Sequence, residues 1–163
     1  NLKLNKIIKI NIKNKKKLGS DRIANAIGAK KFKNCLIIDF GTATTFDIIK
    51  NGTYEGGVIA PGVNLSIKNL SQGTALLPLI NLKSHQKSYG KNTIEALNAG
   101  FIWGYEGLIN NIIDKVISRS KIKYKILLTG GYANFFKKMI KKKVVIDQDI
   151  TIKGIANAYK ELV

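Results

Sequence analysis

An aspartate, a glycine and a threonine follow one another where the most apolar run of the sequence ends. Residues 35–40 read CLIIDF, and Gly41 and Thr42 come directly after them. Such a run predicts a buried strand that places Asp39 at a sheet edge, where open α/β sheets bind ligands. There Gly41 lets a phosphate approach the backbone, the following hydroxyl and N–H groups can bind its oxygens, and Asp39 can hold a cation. The alternative is a strand-end aspartate and glycine that only make a turn.

A second acidic residue stands at the start of a predicted helix, in Gly19-Ser20-Asp21-Arg22. Ser20 is expected to cap this helix, with Asp21 in its first turn. The helix dipole favours an ionised carboxylate, which can accept the proton of an alcohol that attacks phosphorus. Arg22 can bind a carboxylate as a forked pair. A capped helix with a dipole-stabilising acid is the purely structural alternative.

Two further motifs contain glycine. Gly90-Lys91-Asn92-Thr93 contains Gly-Lys but has neither the hydroxyl residue after lysine nor the earlier glycine of a P-loop. Asn92 or Thr93 is expected to cap a long helix, and the alternative is a hydroxyl contact from Thr93 to a substrate. Gly130-Gly131, after an apolar strand, permits either the close approach of a flat ligand such as adenine or a tight strand-to-helix turn. His85, the only histidine, is expected to lie in a loop.

The hydrophobic pattern predicts the elements that position these residues. The Asn51-Gly52 pair predicts a hairpin between two of the strands. Strands are expected at 6–12, 35–40, 44–50, 53–60, 125–129 and 144–146, and helices at 20–31, 63–71, 93–120, 132–140 and 151–162. On the long helix the expected apolar face contains Leu97, Phe101, Gly104, Leu108, Ile112 and Val116.

Three successive strands predict an antiparallel meander, and the alternating helices and strands after it predict an α/β sheet covered by helices. The same order occurs in one lobe of the actin, Hsp70 and sugar-kinase superfamily, whose lobes are ribonuclease H-like.

The composition is strongly basic, with a formal net charge of +18. The 28 basic residues comprise 26 lysines and only 2 arginines, spread along the chain, which favours a solvated lysine surface over a nucleic-acid footprint. Cys35 is the only cysteine and is expected to lie in the core, in line with a reducing cytoplasm. No apolar run approaches the ~18 residues of a membrane span.

Taken together, the motifs resemble those of type III pantothenate kinases. The stretches that carry the resemblance lie between about Gly19 and Tyr159, in the order that the family has. They are GSDRIANAIGAKKF, LIIDFGTATTFDII, GTYEGGVIAPGVNLSIKNLSQGTALLP, YGKNTIEALNAGFIWGYEGLI, LLTGGYA and DITIKGIANAY. Each piece is short, and the combination is specific.

The resemblance implies an acetate and sugar kinase/Hsp70/actin fold, and a homodimer with the pantothenate site near the subunit contact. It implies that Asp21 accepts the proton and that Gly19, Ser20, Arg22 and Thr93 bind pantothenate. It also implies that Thr42 contacts ATP, that Asp39 holds a monovalent cation (K⁺ or NH₄⁺), and that Mg²⁺ accompanies ATP. Gly41, Gly130 and Gly131 are the further candidates for the nucleotide site.

The sequence departs from the family pattern in two places. Ser20 stands where the family usually has alanine, and nothing before Gly19 matches the family's D-x-G-N-T phosphate loop. Residues 1–18 are therefore expected to be the end of a first lobe and residues 19–163 the second, C-terminal lobe. Without that loop, the isolated chain is expected to have little kinase activity.

Three other functions stay open at this stage. The first is a kinase of the same superfamily with a different alcohol as substrate. The second is a basic nucleic-acid-binding or regulatory protein, and the third is an inactive remnant of the same fold.

Overall fold

The computed structural model describes residues 7–83 and 88–163, which form six strands and five α-helices. Short 3₁₀ turns at Lys15–Lys17 and Lys137–Met139 complete the elements. The strands are β1 (Lys9–Ile10), β2 (Cys35–Phe40), β3 (Ala43–Lys50), β4 (Thr53–Pro61), β5 (Lys125–Gly130) and β6 (Val144–Ile146). The helices are α1 (Ser20–Gly28), α2 (Val63–Gln72), α3 (Thr93–Ser120), α4 (Ala133–Phe136) and α5 (Ile150–Leu162).

All six strands belong to one sheet, in the order β1-β4-β3-β2-β5-β6. Strands β2, β3 and β4 form the predicted antiparallel meander, and β5 and β6 extend it in parallel. Asn51 and Gly52 join β3 to β4 with positive φ angles, the conformation that this pair favours in a two-residue hairpin. In β2 and β5, Phe40 lies opposite Gly130, so both strands end at the same edge.

Alternate residues of β2 enter two different cores. Leu36, Ile38 and Phe40 pack with Tyr105, Ile109 and Phe136 on one face of the sheet. Cys35 and Ile37 pack with Ile23, Ile27 and Ile150 of α1 and α5 on the other face. Because side chains alternate along a strand, Asp39 lies on the same face as α1. Burial raises the pKa of the Cys35 thiol to about 12, which leaves it an unreactive core residue, as predicted.

Helices α1 and α5 cross at very close range because each has a glycine at the contact. A Cβ atom on Gly154 would collide with the carbonyl oxygen of Ala24, and one on Gly28 would collide with that of Ile150. This contact brings the start of α5 against the buried side of α1 and so brings Thr151 next to Asn25.

Most predicted elements are confirmed to within a residue or two, with four exceptions. The first strand has only two residues, although Ile7, Ile8 and Ile10 pack against α1 in its core. Helix α1 ends at Gly28 rather than Lys31, and residues 132–140 contain only a four-residue helix and a 3₁₀ turn. On α3, the buried residues include Ile102, Tyr105, Ile109 and Ile113, whereas five of the six predicted positions are half-buried and Gly104 is exposed.

Several expectations fall outside what the structure covers. His85 and Lys6 lie outside the described residues, and the boundary between residues 18 and 19 stays a prediction. No helix in the described ranges is both long enough and apolar enough to cross a membrane.

Candidate active site

The first turn of α1 carries Asp21 at the surface. Helix α1 begins at Ser20 and its N-cap position is Gly19, without a side-chain cap, so the predicted cap at Ser20 is wrong by one residue. Asp21 lies in the first turn, as predicted, where the partial positive charge of the helix end favours its carboxylate. The carboxylate turns back toward Gly19, since a Cβ atom there would collide with Asp21 Oδ1.

Asp39 lies at the end of β2, beneath α1. Asn25 Nδ2 donates to Asp39 Oδ2 at 2.8 Å, and Thr151 Oγ1 donates to Asn25 Oδ1 at 2.5 Å. The threonine hydroxyl thereby fixes the amide with its NH₂ group toward the carboxylate. Burial raises the pKa of Asp39, the Asn25 hydrogen bond lowers it, and the negative charge of Asp21 raises it. Asp21 lies one helical turn before Asn25 on α1, so the helix that carries Asp21 is tied directly to Asp39.

The second carboxylate oxygen of Asp39 faces two glycines. Within the described part of the chain no hydrogen bond reaches Asp39 Oδ1. A Cβ atom would lie 2.7 Å from this oxygen if built on Gly130 and 3.5 Å if built on Gly41. Gly130 also has a φ angle of +84°, which other residues rarely adopt. This oxygen therefore lies close against the backbone of Gly130, in the space that a side chain would otherwise occupy.

Arg22, next to Asp21, forms an internal ion pair with a residue that the sequence analysis had not singled out. Its Nε and Nη2 atoms both lie 2.7 Å from Asp47 Oδ1, and the Tyr54 hydroxyl donates to the same oxygen at 2.7 Å. Burial raises the pKa of Asp47, while the hydrogen bond and the charge of Arg22 oppose this. Both guanidinium nitrogens approach one oxygen of the carboxylate, so this is not the forked pair with two oxygens, and the carboxylate belongs to the chain itself.

A cavity of about 500 Å³ opens at the ends of β2 and β5. Its lining includes Gly41, Thr42 and Gly131, so the fold brings three of the four predicted nucleotide residues together. Gly130 lies directly before Gly131 and beside Asp39. The remaining lining residues are Phe40, Asn64, Leu65, Lys68 and Tyr132, and the Tyr132 hydroxyl donates to Asn64 Oδ1 at 2.5 Å.

Thr93 lies in a different groove, of about 400 Å³, between α2 and the start of α3. Asn92 is the N-cap of α3 and accepts a hydrogen bond from Glu95 N at 3.0 Å, while Glu95 Oε2 accepts one from Lys91 N at 2.8 Å. These two hydrogen bonds hold the start of the helix without the Thr93 side chain, so the cap is Asn92. The rest of the groove is lined by Leu70, Leu77, Ala96, Leu97, Gly100 and Phe101, none of which belongs to the Gly19–Arg22 segment.

Sequence reasoning missed four polar residues of these sites. Asn25 follows Asp21 by one helical turn, a spacing that places both on one face of α1 and could have suggested a shared role. Asp47 stands between the apolar residues Phe46 and Ile48 of β3, and a buried carboxylate needs a partner. Tyr54 and Lys68 gave no comparable signal, because their places depend on strand pairing and on the course of α2.

The chain is similar to known proteins of one family. A family model described as type III pantothenate kinase matches residues 2–115. The chain is 52% identical over 158 residues to the type III pantothenate kinase of Pelagibacter ubique, covering 96% of this chain and 63% of that protein. It is 38% identical to the Ruegeria relative of the same name, covering 88% of this chain and 56% of that protein. The chain thus spans about three fifths of the length of these relatives.

Solved structures give the same fold. A Baf family protein from Campylobacter jejuni superposes with a TM-score of 0.70 at 24% identity, over 98% of this chain and 71% of that chain. The ethanolamine utilization protein EutJ from Carboxydothermus hydrogenoformans gives a TM-score of 0.51 at 16% identity, over 83% of this chain and 53% of that chain. The expected actin/Hsp70-like fold is thereby confirmed. By the family model, which matches more than half of its residues, the chain belongs to the type III pantothenate kinase family.

Proposed function

We propose that this chain carries the acceptor side of a kinase that transfers the γ-phosphate of ATP to pantothenate, the first step of coenzyme A biosynthesis. Membership of the family supports the reaction. The observation that carries the proposal is geometric: the hydrogen bond from Asn25 of α1 to Asp39, 2.8 Å long, holds the end of β2 beneath the helix whose first turn carries Asp21. An alcohol between these carboxylates can face the terminal phosphate of a nucleotide.

Asp21 is the proposed proton acceptor. As the pantothenate hydroxyl attacks phosphorus, its proton passes to the Asp21 carboxylate, its oxygen bonds to the γ-phosphorus, and the bridging oxygen leaves with ADP. The exposure of Asp21 supports this role, because an acceptor alcohol can reach it from solvent. Proton transfer of this kind contributes about 10²- to 10⁴-fold to a rate.

The proposed pantothenate site consists of Gly19, Ser20, Asp21 and Arg22, with Thr93. An arginine guanidinium suits the carboxylate of pantothenate because it can donate two parallel hydrogen bonds. The role of Thr93 as a hydroxyl contact is supported by its exposure and by the capping of α3 through Asn92 instead.

The cavity of about 500 Å³ is the proposed nucleotide site, with Gly41, Thr42, Gly130 and Gly131 on its wall or beside it. The backbone N–H groups of a glycine-containing turn can bind phosphate oxygens. Lys68, which the sequence analysis did not single out, adds a positive charge to the same wall.

Asp39 is the proposed ligand of a monovalent cation, and Mg²⁺ would be carried by the phosphates of ATP. The donor set fits a cation of low charge, since Asp39 Oδ1 is free and borders glycine backbone. In the described residues no group of three histidine, cysteine or acidic residues lies close enough to hold a metal ion, so backbone, water and phosphate oxygens would complete the shell. Such a cation would offset the negative charge of the phosphates next to Asp39.

We further propose a homodimer in the cytoplasm. Support for a subunit contact comes from the apolar surface around the Thr93 groove, where Ile94 is 52% exposed and Leu76 is 89% exposed. The single buried cysteine suits a reducing compartment. Light scattering after gel filtration tests the dimer: Ile94→Lys should shift the mass toward a monomer.

The decisive variant is Asp21→Asn in a protein of the relatives' full length. The amide keeps the size of the side chain but cannot accept the proton, so kcat should fall by about 10²-fold or more. ATP affinity, measured by calorimetry, should stay unchanged because Asp21 lies outside the proposed nucleotide cavity. Near-normal turnover in Asp21→Asn would remove the assignment of the base.

The open alternatives predict different outcomes in the same experiments. A sugar phosphorylated faster than pantothenate, in a panel assayed in parallel, would point to another kinase of this fold. Salt-sensitive retention on DNA or RNA, without binding of ATP or pantothenate, would point to a nucleic-acid-binding protein. Absence of any ATP binding would indicate a remnant.

A further inference from the structure

A buried polar cluster lies beneath the first turn of α1 and consists of Arg22, Asp47 and Tyr54. Three donor atoms converge on Asp47 Oδ1: Arg22 Nε, Arg22 Nη2 and the Tyr54 hydroxyl, each at 2.7 Å. The Asp47 side chain is fully buried, and only 13% of the Arg22 side chain is exposed. The cluster therefore fixes the guanidinium at one place, directly after Asp21 in the first turn of α1.

Stability alone does not explain this cluster. Removing two charges from water is costly, and apolar residues of the same volume often stabilise a core equally well or better. Moreover, Asp47 Oδ2 is buried without a hydrogen-bond partner among the described residues, since all three donors engage the other oxygen. Since Asp47 leaves one of its own oxygens without a hydrogen bond, we interpret the role of this carboxylate as orienting the arginine.

The neighbouring strand leaves room for the arginine alone. Gly57 of β4 has no side chain, and the guanidinium occupies the space that one would need. A Cβ atom on Gly57 would collide with Arg22 Nη2 and with the carbonyl oxygen of Phe46. The Tyr54 ring stands on another side, with its centroid 6.0 Å from Arg22 Cζ. The guanidinium is thus confined by backbone on one side and by an aromatic ring on another.

The rest of the guanidinium is available for a ligand. Arginine has five N–H donors, and the hydrogen bonds to Asp47 engage only those of Nε and Nη2. Within residues 7–83 and 88–163, Tyr54 also contacts the guanidinium. Asp21 directly precedes Arg22 in the first turn of α1, so the proposed proton acceptor is its neighbour in the chain.

We propose that Asp47 and Tyr54 are positioning residues that hold Arg22 in one orientation beside Asp21, with its remaining N–H groups ready to bind the carboxylate of the acceptor substrate. The identity of that carboxylate as pantothenate rests on the proposed function; the orientation of Arg22 does not. Pre-positioning matters because a misplacement of about 1 Å can cost about 10²-fold in rate.

The orientation can be tested by NMR on the chain itself, because it contains only two arginines, Arg22 and Arg119. With ¹⁵N-labelled arginine, the Nε–H signal of Arg22 should exchange slowly with water, whereas that of the exposed Arg119 should exchange fast. Arg119→Lys assigns the two signals. Asp47→Leu should accelerate exchange at Arg22 about tenfold or more, since hydrogen bonds to charged groups are among the stronger ones. Tyr54→Phe should accelerate it less.

Tyr105→Phe is a matched control for Tyr54→Phe. Tyr105 is also buried, and its hydroxyl also makes hydrogen bonds, to Ser66 at 2.8 Å and to the Pro61 carbonyl at 3.1 Å, on the opposite face of the sheet. It should leave the Arg22 signal unchanged. If Asp47→Leu fails to fold, Tyr54→Phe and Asp47→Asn still test whether Asp47 orients Arg22. In Asp47→Asn the amide oxygen can take the place of Asp47 Oδ1, but the negative charge that attracts the guanidinium is lost.

Kinetics on the full-length enzyme give the second test. Tyr54→Phe should raise KM for pantothenate about three- to tenfold, with the KM for ATP unchanged and little change in kcat. Tyr105→Phe should change none of these. Unchanged Nε–H exchange in both Asp47→Leu and Tyr54→Phe would overturn the proposal, as would an unchanged KM for pantothenate in an active enzyme. If the wild-type enzyme does not phosphorylate pantothenate, the proposed function fails and the NMR result still decides the orientation of Arg22.

Discussion

The two surfaces assigned to the acceptor substrate are built in different ways. At the start of α1, the chain itself fixes the polar groups: Asp47 holds Arg22, and Asn25 holds Asp39. At the start of α3, Asn92 caps the helix and Thr93 is left exposed at the edge of an apolar groove. The first surface is organised within one chain, whereas the second has exposed apolar side chains that a further surface would have to cover. Variants at the first surface should therefore affect stability and function together, and those at the second should separate the two.

The largest effect is expected from Asn25→Leu. This substitution leaves Asp39 Oδ2 without its donor and the Thr151 hydroxyl without its acceptor, both in partly buried surroundings. The free energy of unfolding should fall by about 2–4 kcal/mol, as expected when two such groups lose their partners. Urea denaturation at pH 7 measures it. Asn111→Leu, the same change at an exposed position of α3, should stay within about 0.5 kcal/mol of the wild type.

The pH dependence of Asn25→Leu provides a separate check. Burial raises the pKa of Asp39 above its ordinary value of 3.8, so the folded state binds this proton more tightly than the unfolded state does. This contribution to stability is present at low pH and is lost as the pH rises through the folded-state pKa. Since the Asn25 hydrogen bond lowers that pKa, its removal extends the loss to higher pH. The stability difference from the wild type should therefore grow between pH 4 and pH 7; a constant difference would contradict the role of Asn25.

A substitution of Thr151 should weaken the hydrogen-bonded chain from Thr151 through Asn25 to Asp39 by a smaller amount. Thr151→Val removes the hydroxyl that fixes the Asn25 amide but keeps the shape of the side chain. Stability should fall by about 1 kcal/mol, the usual contribution of one hydrogen bond. Thr151→Ser, which keeps the hydroxyl, should restore most of it, and equal losses in both variants would show that packing alone is responsible.

Asn92→Ala should have a comparable effect at the second surface. Its side chain accepts the hydrogen bond from Glu95 N that satisfies the start of α3. Loss of such a cap costs about 1 kcal/mol, which thermal or urea denaturation would resolve. A change below about 0.3 kcal/mol would mean that Glu95 and solvent suffice at this helix end.

Local patterns predict much of this fold but not its polar contacts. The apolar run of β2, the Asn51-Gly52 hairpin and the α3 boundaries depend on neighbours in sequence, and these predictions are confirmed. The pairing of Arg22 with Asp47 depends instead on how α1 lies over the sheet, which no local pattern encodes. The positions of Asp39 and Gly130 could be predicted as two strand ends, but their proximity follows only from the parallel pairing of β2 and β5.

The buried face of α3 shows a second limit. Apolar residues occupy two adjacent faces of this helix, one with Leu97, Phe101 and Leu108 and the other with Ile102, Tyr105 and Ile109. The predicted apolar positions lie on the first face and, apart from Gly104, pack half-buried against the core, whereas the structure buries the second face more deeply. Helical periodicity cannot separate neighbouring faces when both are apolar; the contact of Tyr105 with Phe136 and the sheet decides between them.

The smallest effect on stability, and the sharpest on function, is expected from Thr93→Val. Because Asn92 already caps α3, loss of the Thr93 hydroxyl should change the free energy of unfolding by less than about 0.5 kcal/mol. In the full-length enzyme, KM for pantothenate should rise about three- to tenfold, as for one lost hydrogen bond, while the KM for ATP stays the same. Thr93→Ser should restore the KM. If Thr93→Val instead loses as much stability as Asn92→Ala with pantothenate binding intact, Thr93 only begins the helix, and the acceptor site is confined to the α1 surface.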